Sequence, residues 1–369
     1  MAAAGPGAPT VPGPRRRSAG VAAVAGGAIV LALVVGSAAI GPVAIPSGTV
    51  LAILAHEATG GAWPGGACPG VGSSSQCAIW VEIVWDARVP ALLLALVAGG
   101  ALGLSGATLQ GVFRNPLADP YLLGLSSGAA LGASALYTFG WFAASRAVVL
   151  PAAAFLGGLV PGTIVVLAAR SGRRSPETLL LTGVALNALF ASILASFLLY
   201  NPAGNIPLSF WLLGGLGDAS WTHDALVASV LLVGGAVLVG RGAELNLLQL
   251  GPDVARSLGV DARALTRLLI LAATLLTAGA VAFTGVVGFV GLVAPHIVRR
   301  TLGVDYRRVL PFAALTGGIF LLVAWDIAQV VVPDVVIPVG IPTAFAGALF
   351  FLYLLQRRDR SGALRGDAT

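Results

Sequence analysis

The sequence contains no lysine: all 21 of its basic residues are arginine. That excludes a phosphate-binding loop of the form G-x-x-x-x-G-K-[ST], whose lysine must reach the β- and γ-phosphates. Any ATP spent in this protein's work, with its Mg, is therefore handled by a partner subunit. Charge is scarce too, with Asp, Glu and Arg making up 10% of the 369 residues. A soluble domain carries roughly 25%. Histidine is limited to three residues and cysteine to two, and no two histidines stand at ligand spacing, so no metal site is expected.

Apolar residues are abundant, at 57% of the chain with a mean hydropathy of +0.94. Repeated apolar runs near the ~20 residues that cross a bilayer make this a polytopic membrane protein, all-α in class. The net charge of +6 does not indicate nucleic acid, because the arginines flank hydrophobic runs.

Ten candidate spans lie near 20–44, 89–112, 121–140, 147–169, 178–200, 224–240, 264–284, 288–303, 309–330 and 338–356. The first follows Arg15, Arg16 and Arg17. Its apolar stretch outruns the ~7–15 residues of a secretory signal, so it reads as an anchor. Ten spans with a cytoplasmic amino terminus put nineteen arginines inside and leave Arg88 and Arg146 outside. This asymmetry obeys the positive-inside rule and supports an even number of spans, with both termini cytoplasmic. The tails are then 1–19 and 359–369, and the permeating domain is 20–358.

Three connections carry more than turn chemistry. Residues 45–88 form a long outer loop holding Cys68 and Cys77, whose pairing as a disulfide fits an extracytoplasmic location; two free thiols are the alternative. Residues 201–223 are too apolar for solvent and too short to span. Residues 241–263, between spans six and seven, contain "GPDVARSLGV", which reads as a short helix with Pro252 and Asp253 in its first turn and Gly259 as its stop. Leu247, Leu248, Leu250, Val254 and Leu258 make it apolar on one side, which suits either lipid or a docked partner. A weak internal echo links the Gly-rich run before Arg114 with the one before Arg299, each ending in a polar inner turn.

The stretches "RVPALLLALVAGGALGLSGATLQGVFRNPLADPYLLGLSSGAALGA", "LLLTGVALNALFASI", "FWLLGGLGD", "LGPDVARSLGVDA", "GFVGLVAPHIVRR" and "IPVGIPTAFAGALFFLYLL" resemble the FecCD-type permeases. These are the membrane subunits of ABC importers for iron–siderophores, haem and cobalamin. The resemblance spans roughly residues 85–358 in family order. It implies a ten-helix subunit that pairs with a second copy, as a homodimer, around a central pathway. Two cytoplasmic ATPases bind below, and an extracytoplasmic binding protein delivers cargo from above. The chain itself binds no cofactor, is not an enzyme, and touches lipid but no nucleic acid.

By that resemblance Asn115 and Leu117 match a cytoplasmic gate, with Glu177 and Thr178 as a second gate element. Capping explains these polar residues equally well: Asn115 before Pro116, and Glu177 at a positive helix end. Leu250, Gly251, Pro252, Asp253, Arg256, Leu258 and Gly259 match the element that couples to the ATPase. Arg88 matches a residue that docks the binding protein, with Arg146 as the other outer cation. Gln110, Ser126, Ser127, Asn187 and Asp326 are polar groups on apolar helices, placed either in the pathway or in buried structural bonds. Gln329 stands where the family often has an arginine. A proton-driven secondary transporter using Asp326 is the rival reading. A membrane-embedded enzyme lacks any nucleophile–base or metal constellation. The expected cargo is a bulky metal chelate, ferric siderophore first, then haem or cobalamin.

Overall fold

The computed structural model describes residues 16–60, 68, 73–139, 146–170, 176–200, 205–333 and 335–366, with the side chains of some helix ends excepted. Their regular structure is helical throughout. α1 is Arg16–Ala38, α2 Ser47–Thr59 and α3 Ser74–Val81; a π-helical segment, Glu82–Arg88, runs without interruption into α4, Val89–Val112. A 3₁₀ turn at Pro120–Leu123 leads into α5, Leu125–Phe139. Then come α6 (Arg146–Arg170), α7 (Pro176–Tyr200), α8 (Asn205–Leu212), α9 (Trp221–Gly240), α10 (Gly242–Gln249) and α11 (Pro252–Ser257). α12 (Ala262–Thr284), α13 (Val290–Leu302), α14 (Tyr306–Val330) and α15 (Gly340–Gly366) complete the chain.

Each of the ten expected spans coincides with a helix, and among the described residues six helices are long and apolar enough to cross a bilayer on their own. The main difference lies before α4. Residues 74–88, expected in the outer loop, are already helical, so the second span is one continuous rod from Ser75 to Val112. α13, at 13 residues, is too short to span, since a 30 Å core needs ~20 residues. Residues 285–288, which precede it, are not helical, and Gly285 takes a φ of +65°.

α4 is the axis of the fold, buried along nearly all its length and packed on α9, α12, α13 and α14. Helices in lipid gain little from hydrophobicity, so close approach of small residues does the work. Gly99 and Gly103 of α4 meet the backbone of Gly317 and Ala313 on α14 so closely that a methyl on either would overlap it. Gly128 and Gly132 of α5 meet Gly157 and Ala153 of α6 in the same way.

Non-helical backbone at membrane depth occurs where it pairs with itself or lines a cavity. Near the outer end, Gly215 N–H donates to Thr284 O (2.9 Å), Val339 N–H to Gly214 O (3.0 Å) and Gly340 N–H to Leu213 O (3.1 Å). These strands of loop border a cavity of about 710 Å³ lined by Trp211, His223, Phe283 and Trp325 among others.

Candidate functional site: the inner gate turn and its coupling segment

The turn after α4 is built from local rules. Arg114 takes a left-handed φ of 49°, a region costly for a residue with a Cβ. Asn115 N–H then reaches back to Gln110 O (3.1 Å), and Ala118 N–H to Asn115 O (3.1 Å). The Asn115 Oδ1 accepts from Leu117 N–H at 2.9 Å, an Asx turn. It caps its own turn rather than the next span, and it leaves Leu117 standing out, 43% exposed. Asp119 Oδ1 accepts from Tyr121 N–H (2.7 Å) and so starts the 3₁₀ turn. Gly124, at φ +77°, closes it against the backbone of Gly183 and Asn187 on α7. The gate turn therefore rests directly on α7, whose first turn carries the exposed Glu177 and Thr178.

Gln110 holds this turn to its neighbours. Its Nε2 donates to Gly291 O (3.1 Å) at the start of α13, and its Oε1 accepts from Arg299 Nη2 near the end of the same helix. With the backbone bond to Asn115, one residue thus ties α4, the gate turn and both ends of α13 together. Expected as a pathway or buried polar group, it acts as a positioning residue.

The 251–259 segment is the short helix expected between two glycine breaks. Gly251 (φ +110°) and Gly259 (φ +83°) bracket α11, Arg256 bonds Asp253 at 3.0 Å, and Leu250, Val254 and Leu258 are all exposed. Its base is fixed by α10. Gln249 Nε2 donates to Gly111 O at 2.7 Å, and Asn246 Nδ2 donates to Asp305 Oδ1 at 2.6 Å. Tyr306 N–H donates to Asn246 Oδ1 at 2.9 Å. The hydrogen bond from the Asn246 amide is the first cause that lowers the Asp305 carboxyl from its ordinary value. The gate turn, α10 and the α13–α14 turn surround a cavity of about 480 Å³.

Other expected residues have plainer settings. Ser126 is buried, and Ser127 Oγ bonds Gly124 O at 3.0 Å. Asn187 is half-buried on α7 against the gate turn. Asp326 Oδ2 accepts from Ser37 Oγ at 2.5 Å, joining α14 to α1, while its Oδ1 is buried without a partner. Cys68 and Cys77 form a disulfide with Cα atoms 5.5 Å apart. The Arg146 side chain lies outside the described residues. Among the described residues no metal-ligand cluster exists, and the His296 ring stacks edge-on against Phe350.

Arg88 departs from expectation. Only 7% exposed, it donates Nη1 to Ala38 O (3.0 Å) and Nη2 to Val43 O. Its guanidinium replaces helix partners for carbonyls at and just after the end of α1 and is buried rather than presented outward, so it clamps the fold instead of docking a partner. Asp119, Asn246, Gln249 and Arg299 went unassigned in the sequence. Burial raises Asp119 to about 6 against the opposing Tyr121 N–H, and its Oδ2 is buried without a partner. Asp119 could have been singled out as an acid between an apolar run and a proline. Asn246 and Asp305 lie 59 residues apart and give no local signal.

The FecCD transport family profile matches residues 28–357, and the chain belongs to that family. It is a multi-pass inner-membrane protein. It is 44% identical over 281 residues to a cobalamin import system permease protein of Halobacterium salinarum, covering 75% of this chain and 74% of that one. It is 42% identical over 298 residues to a hemin transport system permease protein of Yersinia pestis, covering 79% and 88%. The fold resembles a solved inward-facing metal-chelate type ABC transporter, with a TM-score of 0.72, 27% identity and coverage of 89% and 97%.

Proposed function

We propose that this chain is the permease subunit of an ATP-driven importer for a bulky metal chelate, working by alternating access as a homodimer. Two cytoplasmic ATPases seat on α11, and an extracytoplasmic binding protein delivers cargo to the opposite end. The observation that carries the reading is the exposed ridge of Leu250, Val254 and Leu258, set on a segment bonded through Gln249 to the last turn of α4. Movement of that ridge is thereby passed to the turn bearing Asn115 and Leu117. Among chelates, sequence reading puts a ferric siderophore first; relatives named for cobalamin and hemin favour a metal tetrapyrrole.

The test is uptake into proteoliposomes holding the chain, its ATPase and its binding protein. Cobalamin, haemin and a ferric siderophore are offered in parallel. Uptake of one of them that requires ATP and stops with a hydrolysis-dead ATPase supports the reading. Uptake indifferent to ATP refutes it. The proton-coupled rival draws on the partnerless Asp326 Oδ1; it gains only if Asp326→Asn abolishes uptake that an inactive ATPase leaves intact.

A further inference from the structure

The cavity of about 710 Å³ at the outer end is walled by aromatic rings that the gate turn and the coupling segment do not use. Tyr137 comes from α5, Phe210 and Trp211 from α8, Phe283 from α12 and Trp325 from α14. His223, in the first turn of α9, stands among them. Asp218 is the one carboxylate in the wall, and among the described residues no arginine lines it. Apolar walls with a few convergent polar groups, in a space of ~300–1,000 Å³, are the make-up of a small-molecule site.

The His223 ring is held in one orientation. Its Nδ1 lies 3.1 Å from Asp218 O. A carbonyl oxygen can only accept, so Nδ1 carries the hydrogen and, in the neutral ring, Nε2 carries the lone pair. The ring also packs against Phe283, with centroids 4.9 Å apart at 44°. The loop that supplies the Asp218 carbonyl is pinned in turn, through Gly215 N–H to Thr284 O at 2.9 Å. Among the described residues Nε2 has no partner, and it is not sealed from solvent. One ring N–H on a backbone carbonyl and a bare lone pair opposite is how metal-ligating histidines are set up.

We propose that this cavity receives a metal tetrapyrrole as cargo, with His223 Nε2 as an axial ligand to its metal and the aromatic rings against its macrocycle. The inference rests on the importer reading above and names the class of chelate. A lone histidine is no metal site by itself, and the described residues hold no metal-ligand cluster. A tetrapyrrole brings four nitrogen donors of its own, so one imidazole suffices for an axial position. The step exchanges an axial water for Nε2, with no electron or proton transferred. A chelate whose own donors fill every metal position offers His223 nothing. With Asp218 and no arginine in the wall, acidic groups on the macrocycle's rim stay in water.

The full chain in phosphatidylcholine nanodiscs is titrated with haemin, iron-free protoporphyrin and aquocobalamin, against empty nanodiscs. A saturable shift of the haemin Soret band, or of the aquocobalamin visible bands, at one site per chain supports the proposal and shows which macrocycle is taken. His223→Gln keeps a donor for Asp218 O but removes the ligand. It abolishes the shift and weakens binding at least about tenfold, since even the groups behind a metal ligand are worth ~10–100-fold. Iron-free protoporphyrin has no axial position to fill and binds both proteins alike, which shows the variant folded with its cavity intact. His56→Gln, outside the cavity, behaves as wild type. No saturable shift above empty nanodiscs, a shift that survives His223→Gln, or protoporphyrin weakened as much as haemin overturns the proposal. ATP-driven uptake of a ferric siderophore at equal rates in wild type and His223→Gln overturns this site alone and leaves the importer reading standing.

Discussion

Gln249 and Gly111 are joined by a 2.7 Å hydrogen bond, from the amide of the coupling segment to a carbonyl in the last turn of the central helix. They stand 138 residues apart in sequence, yet the bond sets the exposed coupling ridge one turn from the gate. Gly111 has no side chain to spare: a Cβ there would press Leu245 of α10 at 2.9 Å. The two segments are therefore in direct contact.

Gln249→Leu removes the donor while keeping bulk. A hydrogen bond of this kind contributes about 1 kcal/mol to stability, so the protein still folds with a Tm a few degrees lower. ATP hydrolysis in the assembled importer continues, whereas cargo moved per ATP falls severalfold. Parallel assays of hydrolysis and uptake read this ratio.

Gln110→Leu has a larger effect. It strips partners from Gly291 O and Arg299 Nη2 at once. Leaving buried polar groups unpaired costs about 1–3 kcal/mol each. The variant should lose several kcal/mol in reversible unfolding, and Gln110→Glu, which keeps an acceptor for Arg299, should recover part of it.

Asp119 makes stability depend on pH. Burial raises its carboxyl from 3.8 to about 6, so the folded protein keeps the proton that the unfolded chain releases. Stability from this group is fully present below about pH 4 and is lost as pH rises through 6. At 1.36 kcal/mol per unit the loss by pH 7 is about 3 kcal/mol. Asp119→Asn removes this pH dependence, which thermal scans between pH 4 and 7 will detect as a flattened profile.

Gly106 of α4 faces Gly291 of α13 backbone to backbone, and an added methyl would overlap the Gly291 carbonyl. Alanine gains about 1 kcal/mol of helix propensity over glycine. The clash is with main chain, which cannot rotate away, and overpacking costs about 1–3 kcal/mol. Gly106→Ala is therefore expected to lower the Tm, and Gly106→Val to do so more strongly.

Much of this architecture is written locally. Apolar run lengths place each of the ten main helices, and the arginines place the gate turn, α10–α11 and the Arg299–Asp305 segment at one end, where the structure gathers them. α11 was legible because Gly251, Pro252 and Gly259 are punctuation with a fixed backbone meaning. The contacts that join these parts were not. Gln249 to Gly111, Asn246 to Asp305 and Gln110 to Arg299 join residues far apart in sequence, and no periodicity records such pairs. Arg88 misled for a related reason: an outer charge reads as solvent-facing unless one knows that the backbone after α1 brings two bare carbonyls to it.

The proposed gate requires that Leu117, at the exposed tip of the 114–120 turn, meet its counterpart across the two-fold axis of a dimer and part from it for cargo to pass. Leu117→Cys, treated with a short bis-maleimide in proteoliposomes containing ATPase and binding protein, tests it directly. The account predicts a cross-linked dimer and loss of ATP-driven uptake in proportion to cross-linking. A fully cross-linked protein that still imports cargo at the unmodified rate would contradict it.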